Sequence, residues 1–378
     1  MITWHFDLLF GVDAITLLVV IASTHLKMPC YHPLIRIKNL NRPTKALDGH
    51  TYYKASIEQP DDINLRLEEL KASAITDYQV IPCKKCIGCR LEYSREWANR
   101  GYLEAKLWKQ NWFVTLTYDE ENIKYNKEIT TSQGITYTSE EWNGTLDATD
   151  LEKFLHDLRQ YMQRKGIQKN GIRYMACGEY GEERERPHYH LILFNCNLPQ
   201  ESFYKPRIIN HETYWQNKII EKCWKYGISN ISEATWNNIA YCARYITKKI
   251  TGKQSEEYYA EKGQIKEFFR TSRMPGIGKG YYDKYKDKIY KNDEIIIHNK
   301  NGTITTKPPK YFDKLYETEN PKAMEKIKRK RQRQQLHNNR LKDTKTSKTR
   351  LEQLAVEESY KADETLKLRR TYEKKEKK

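Results

Sequence analysis

Alternation and helical periodicity divide this chain into recognisable segments. Trp112-Phe113-Val114-Thr115-Leu116-Thr117-Tyr118-Asp119 alternates β-forming residues and ends on an acid, the pattern of an interior strand. Strand patterns recur near residues 172–179 and 188–195, separated by the charged turn Glu182-Glu183-Arg184-Glu185-Arg186-Pro187. Helical periodicity marks Arg90 to Lys109, where Leu91, Trp97, Ala98, Tyr102, Ala105 and Trp108 are available for packing. It returns over Asp150–Lys165, with Thr149-Asp150-Leu151-Glu152 as a cap, over Thr213–Lys225 and over Ile239–Lys249. Strands and helices in this order predict an α+β fold, a central antiparallel β-sheet with helices packed on one face. Met28 to Thr76 reads as an irregular basic region, and no internal repeat is visible. The glycines from Gly276 to Gly280 lack a following Gly-Lys-Ser/Thr, so nucleotide hydrolysis is not indicated.

Candidate chemistry concentrates on the last two strands and the helix after them. Side chains alternate along a strand, so His188 and His190 share a face while Tyr189 points to the core. Two imidazoles so placed can grip one divalent metal, or they are simply half-solvated residues at a strand edge. Glu179 leaves the preceding strand where the histidine strand begins, which makes it a plausible third ligand. Two nitrogens and a carboxylate, with positions left for water and phosphate oxygens, suit Mg²⁺ or Mn²⁺. In the helix, Tyr241 and Tyr245 stand four apart on one face, followed by the cations Lys248 and Lys249. Tyrosines beside a metal can be nucleophiles; a packed aromatic face is the plainer alternative, and Tyr281 and Tyr285 repeat the spacing.

Charge and cysteines extend the picture. The formal net charge is +17, and the stretch from Pro321 to Lys378 holds 20 Lys/Arg against nine Asp/Glu, most of the excess. Within it, Lys326, Lys328, Arg329, Lys330, Arg331 and Arg333 form a run suited to binding the phosphate backbone without sequence preference, or to solubility alone. The 28 tyrosines and eight tryptophans also suit base stacking. Eight cysteines without a convincing secretory signal point to a reducing cytoplasm. Cys83, Cys86 and Cys89 have metal-knuckle spacing, and Cys30 can supply a fourth thiolate for structural Zn²⁺; reduced thiols fit as well. The apolar stretch from Leu8 to Ala22 is interrupted and short for a membrane span.

These segments together resemble the HUH-type replication initiators, and within them the initiators of microviruses, the gokushovirus-like single-stranded DNA phages. The matching motifs are Phe113-Val114-Thr115-Leu116-Thr117, His188-Tyr189-His190 and Tyr241-x-x-x-Tyr245 with Lys248 or Lys249 following. Ser272-Arg273-Met274-Pro275-Gly276-Ile277-Gly278 and the cysteine cluster followed by Arg95-Glu96-Trp97 add to the likeness, which covers roughly residues 80 to 285. The resemblance implies a sheet with the histidines at its centre beneath the tyrosine helix, and Glu179 as third metal ligand. It implies metal-assisted attack by Tyr241 or Tyr245 on the viral origin, a 5′-phosphotyrosyl link and later rejoining of the circle, with Lys248 or Lys249 assisting. The expected partners are single-stranded and supercoiled viral DNA with host helicase and polymerase, without membrane, in the bacterial cytoplasm. Met28-Pro29-Cys30-Tyr31-His32-Pro33 resembles the start of the phage initiators, so residues 1–27 read as a gene-model extension.

The expected organisation is an amino-terminal region with the cysteine cluster and helix (28–110), an endonuclease core (111–251), a further part of the core with the Pro-Gly loop (252–320) and a basic helical or disordered tail (321–378). Two other classes compete: a DNA-binding protein without enzymatic activity, and an HUH relaxase or transposase using the same chemistry for transfer.

Overall fold

The computed structural model describes residues 30–45, 51–60, 63–73, 78–139, 144–169, 171–181, 185–209, 212–248, 253–299 and 302–376. The chain divides into two compact units, Tyr93–Tyr316 and a second formed by residues up to Glu92 together with Glu317–Lys378. Residues 1–27, and with them the apolar stretch and the expected start at Met28, lie outside the described residues.

The larger unit is built on a seven-stranded antiparallel sheet. Its elements, in chain order, are the end of helix α1 (Ile87–Ala105), β1 (Asn111–Tyr118), α2 (Ala148–Arg164), β2 (Arg173–Tyr180), β3 (Pro187–Phe194), β4 (Phe203–Ile209), β5 (Glu212–Asn217), α3 (Lys218–Cys223), β6 (Gly227–Glu233), α4 (Trp236–Lys248) and β7 (Phe268–Thr271). The strand order is β4-β5-β6-β1-β3-β2-β7. Strand β3 is therefore central, paired with β1 (His190 opposite Thr115) and with β2 (His188 opposite Glu179).

The α+β class holds, but helices cover both faces of the sheet. Tyr189, Leu191 and Leu193 face α2, whose Leu151, Phe154, Leu155, Leu158 and Met162 fill the first core with Ile219, Ile220 and Trp224. Ile192 and Phe194 face the other way, against Ile239 and Cys242 of α4 and Trp97 and Tyr102 of α1. The cause is legible in β3 itself: from Tyr189 onward every residue is buried, and a strand apolar on both faces needs a cover on each.

Three further expectations need correction. Helix α2 is capped by Asp147, not Thr149: the Asp147 carboxylate accepts from the Thr149 amide at 2.8 Å and from its hydroxyl at 2.6 Å, so the acid two residues earlier takes the role. The helix expected over Thr213–Lys225 is strand first, then a short helix. Thr213, Tyr214 and Trp215 are strand formers that pair with β4, and Asn217 caps α3 by accepting from Ile219 and Ile220 at 3.0 and 3.2 Å. The amino-terminal region is not irregular: Leu34–Lys45 lies between Thr51–Glu58 and Tyr78–Ile81 in a three-stranded antiparallel sheet. The alternation Leu34-Ile35-Arg36-Ile37 buries Ile35 and Ile37 with Leu70 of the helix Ile63–Ala72.

In the same smaller unit the basic segment is two helices, Pro321–Asp343 and Arg350–Glu376. Met324 and Leu354 are buried, and Lys342 pairs with Glu357 at 2.6 Å. No helix among the described residues is long and apolar enough to cross a membrane.

Candidate metal and nucleophile site

Strand β3 fixes both histidines through the residue between them. Tyr189 is fully buried on the opposite face, where its hydroxyl donates to the Asp147 carbonyl at 2.8 Å and lies 2.8 Å from the Tyr118 hydroxyl. Tyr118 in turn donates to the buried Asp150 at 2.7 Å. Slipping the strand by one residue would break this network and exchange the faces, so His188 and His190 are held on the α4 side.

There the three expected ligands converge. Nε2 of His188 is 3.0 Å, and Nε2 of His190 2.7 Å, from one carboxylate oxygen, Oε1 of Glu179. The ligand atoms of all three lie within 4.8 Å of one another. Glu179 is only 4% exposed. Burial opposes its charge, yet the two imidazoles and their hydrogen bonds outweigh burial and hold the carboxyl down at about 2. On its far side the His190 ring places Nδ1 3.0 Å from the Thr115 hydroxyl, which leaves Nε2 turned to the cluster. Phe113 stacks on the same ring with centroids 5.6 Å apart and planes 8° apart.

These residues fit a divalent cation. Two nitrogens and an ionised carboxylate are already gathered in one small volume, and the second nitrogen of His190 is occupied as a metal-bound histidine requires. The donor set suits Mg²⁺ or Mn²⁺ better than a thiolate-preferring metal.

Tyr241 of α4 reaches the cluster. Its hydroxyl donates to Glu179 Oε1 at 3.4 Å, its ring stands edge-on to His190 with centroids 5.1 Å apart, and the Arg244 guanidinium lies 5.7 Å from its ring centre. Tyr245 and Lys248 follow about one and two turns along α4; Lys249 lies outside the described residues.

Sequence reasoning marked the first strand as a motif but gave Thr115 and Phe113 no separate task. Their roles depend on cross-strand register, which a single strand pattern does not carry. The loop from Ser272 to Gly278 serves this unit structurally. The buried Glu104 accepts from the Gly278 amide at 2.7 Å, Arg173 donates to the Pro275 carbonyl at 2.7 Å, and the two side chains pair at 2.7 Å. Gly278 has φ +83°, a left-handed conformation that favours glycine. In the turn before β3, Arg186 pairs with Glu120 at 2.8 Å and Glu185 with Lys262, as a solvated turn would.

An antiparallel sheet whose central strands carry two imidazoles and a carboxylate beneath a tyrosine-bearing helix is the class that fold and site define. The family described as Replication-associated protein ORF2 matches residues 111–250, which contain every element of that site. The replication-associated protein ORF2 of Spiroplasma virus 4 is 36% identical over 295 residues, 77% of this chain and 81% of the relative. The replication-associated protein VP4 of Bdellovibrio phage phiMH2K is 29% identical over 246 residues, 64% and 68% of the two chains. ORF4 of Chlamydia phage 1, another replication-associated protein, is 25% identical over 239 residues, 62% and 53%. The chain belongs to this family of phage replication-associated proteins. No solved structure matches it.

Proposed function

We propose that the chain is a rolling-circle replication initiator that nicks the viral origin strand and later rejoins the unit-length circle. The single observation that supports this most is the Tyr241 hydroxyl 3.4 Å from the carboxylate oxygen shared by both histidines, a nucleophile beside a cation site. The names of the relatives favour replication over transfer by a relaxase or transposase.

Glu179, His188 and His190 would hold the cation, and Mg²⁺ or Mn²⁺ there supplies Lewis-acid polarisation of the scissile phosphate. The protein's own part is positioning and proton handling. A phenol with pKa near ~10 is a weak nucleophile at neutral pH, and the Arg244 guanidinium near the Tyr241 ring favours the phenolate. The Tyr241 oxygen bonds to phosphorus, the bond from phosphorus to the 3′-oxygen breaks, and that oxygen takes a proton as the phenol gives one up. The products are a 5′-phosphotyrosyl ester and a free 3′-hydroxyl, a primer for a polymerase. Water is not consumed, so the reverse reaction joins strands. Tyr245, about one turn on, is the second nucleophile for the next origin copy, and Lys248 or Lys249 offsets charge on the phosphate in transit.

The test is incubation of full-length protein with circular single-stranded viral DNA and Mn²⁺ or Mg²⁺, resolved on a denaturing gel. A covalent adduct that needs metal and disappears in the Tyr241→Phe/Tyr245→Phe double variant is expected. Metal-independent DNA binding with no adduct on cognate DNA would leave a binding protein without enzymatic activity.

A further inference from the structure

The second cluster of metal-binding side chains lies in the smaller unit, outside the residues that the family match covers. Cys30, Cys83, Cys86 and Cys89 are all free thiols, and their four sulfur atoms lie within 4.8 Å of one another. Sγ of Cys83 and Sγ of Cys89 are 4.0 Å apart. Four thiolates around tetrahedral zinc, each about 2.3 Å from the metal, stand about 3.8 Å apart, so these sulfurs need move only tenths of an ångström to bind it.

The backbone around them is already arranged for thiolates. The amides of Lys85 and Cys86 donate to Cys83 Sγ at 3.4 and 3.3 Å, that of Cys89 to Cys86 Sγ at 3.5 Å, that of Tyr31 to Cys86 Sγ at 3.4 Å, and that of Cys83 to Cys30 Sγ at 3.1 Å. Lys84 makes this possible by adopting φ +63°, a strained conformation for a residue with a side chain, which turns the two following amides toward Cys83. Two lysines, Lys84 and Lys85, sit within the knuckle and oppose the net double negative charge of Zn²⁺ with four thiolates.

We propose that Cys30, Cys83, Cys86 and Cys89 form a closed structural zinc site that clamps the start of the folded chain to the knuckle and seats the carboxy-terminal helix. The site closes a loop of 53 residues between Cys30 and Cys83. Its apolar shell contains Tyr31 together with Leu351 and Leu354 of the helix Arg350–Glu376. A second tie lies beside it, His32 Nε2 to Glu358 at 2.7 Å. Four thiolates leave no open position for a substrate, so the metal here organises the unit and takes no part in the strand chemistry.

Metal analysis of full-length protein purified without added zinc and dialysed against Mg²⁺ should find one zinc per chain. A His188→Ala/His190→Ala variant should retain it, and Co²⁺ exchanged into that variant should show thiolate-to-cobalt charge-transfer absorption. A Cys83→Ser/Cys89→Ser variant should lose the zinc. Should that variant fail to fold, wild-type protein settles the matter: mercurial displacement of the zinc should expose residues 350–376 to trypsin. Metal-free protein whose Cys30, Cys83 and Cys89 alkylate in the native state, or iron in place of zinc, would overturn the site. Unchanged protection of the helix after zinc release would overturn its role in seating that helix.

Discussion

Glu179, His188 and His190 stand on two hydrogen-bonded strands at the middle of a large sheet, whereas Cys30, Cys83, Cys86 and Cys89 come from loops and a helix start in the smaller unit. The first cluster is ordered by the sheet: register alone places His188 opposite Glu179, with or without a metal. The second has only its backbone amides and a little apolar cover to hold four sulfurs together. A cation at the first cluster adds chemistry to an existing scaffold; a cation at the second supplies part of the scaffold. The donors follow that division, with borderline nitrogen and hard oxygen beside a tyrosine in one place and a closed shell of soft sulfur in the other.

The most severe test of this contrast removes one cluster and watches the other. His188→Ala with His190→Ala should abolish the metal-dependent covalent adduct to the limit of detection, while the thermal midpoint of the smaller unit and its tightly held metal stay as in wild type. Loss of both together would show that the two clusters do not act separately.

Glu179→Gln should come next in size. The amide keeps the shape but removes the charge, so Mn²⁺ affinity measured by calorimetry should fall on the order of 100-fold, about 2.7 kcal/mol. The sign of its pH dependence follows from the lowered carboxyl. Held at about 2, it is ionised at every pH well above that, and its contribution is lost only as acid approaches that value. The deficit should therefore be equal at about pH 5 and about pH 8, and weakening of the wild-type site in mild acid belongs to proton competition at the imidazoles. A deficit that vanishes at the lower pH would contradict this assignment.

Thr115→Val should cost less, about tenfold in Mn²⁺ affinity, because it leaves all three ligands and removes only the hydroxyl 3.0 Å from His190 Nδ1. Phosphotyrosyl formation at saturating metal should recover, which separates orientation of a ligand from loss of one.

These residues also show how far the sequence carried. His188, His190, Tyr241 and Glu179 were legible because each sits in a short local pattern whose strand or helix spacing fixes its face. Thr115 was not, since its partner is 75 residues away and only sheet register joins them. The same limit explains the missed second layer of helices, which depends on burial of both faces of β3. Propensity misled at Thr213–Lys225, where pairing with β4 overrode an apparent helical period. In the smaller unit, Cys30 was suspected from composition, but nothing local predicted that Leu351 and Leu354 would pack beside it.

The basic helix Pro321–Asp343 gives the mildest and most discriminating comparison with the catalytic unit. It holds nine Lys/Arg and two Asp/Glu, whereas the helix Arg350–Glu376 has seven of each, so the excess charge of the carboxy-terminal segment lies mainly on the first helix. Lys326, Lys328, Arg329, Lys330 and Arg333 are exposed; Lys328 and Arg329 pair with Glu317 and Glu325, and Arg331 is half-buried. If this helix contacts phosphates without reading sequence, replacing Lys326, Lys330 and Arg333 by Ala removes up to three contacts. The slope of log affinity against log salt on single-stranded DNA should then fall by about 2, and affinity by a few-fold at moderate salt. Adduct formation at saturating DNA should not change, because positioning at Tyr241 depends on α4 and the sheet. An unchanged salt slope would assign the charge to solubility, and a lost adduct at saturation would place the helix within the nicking machinery itself.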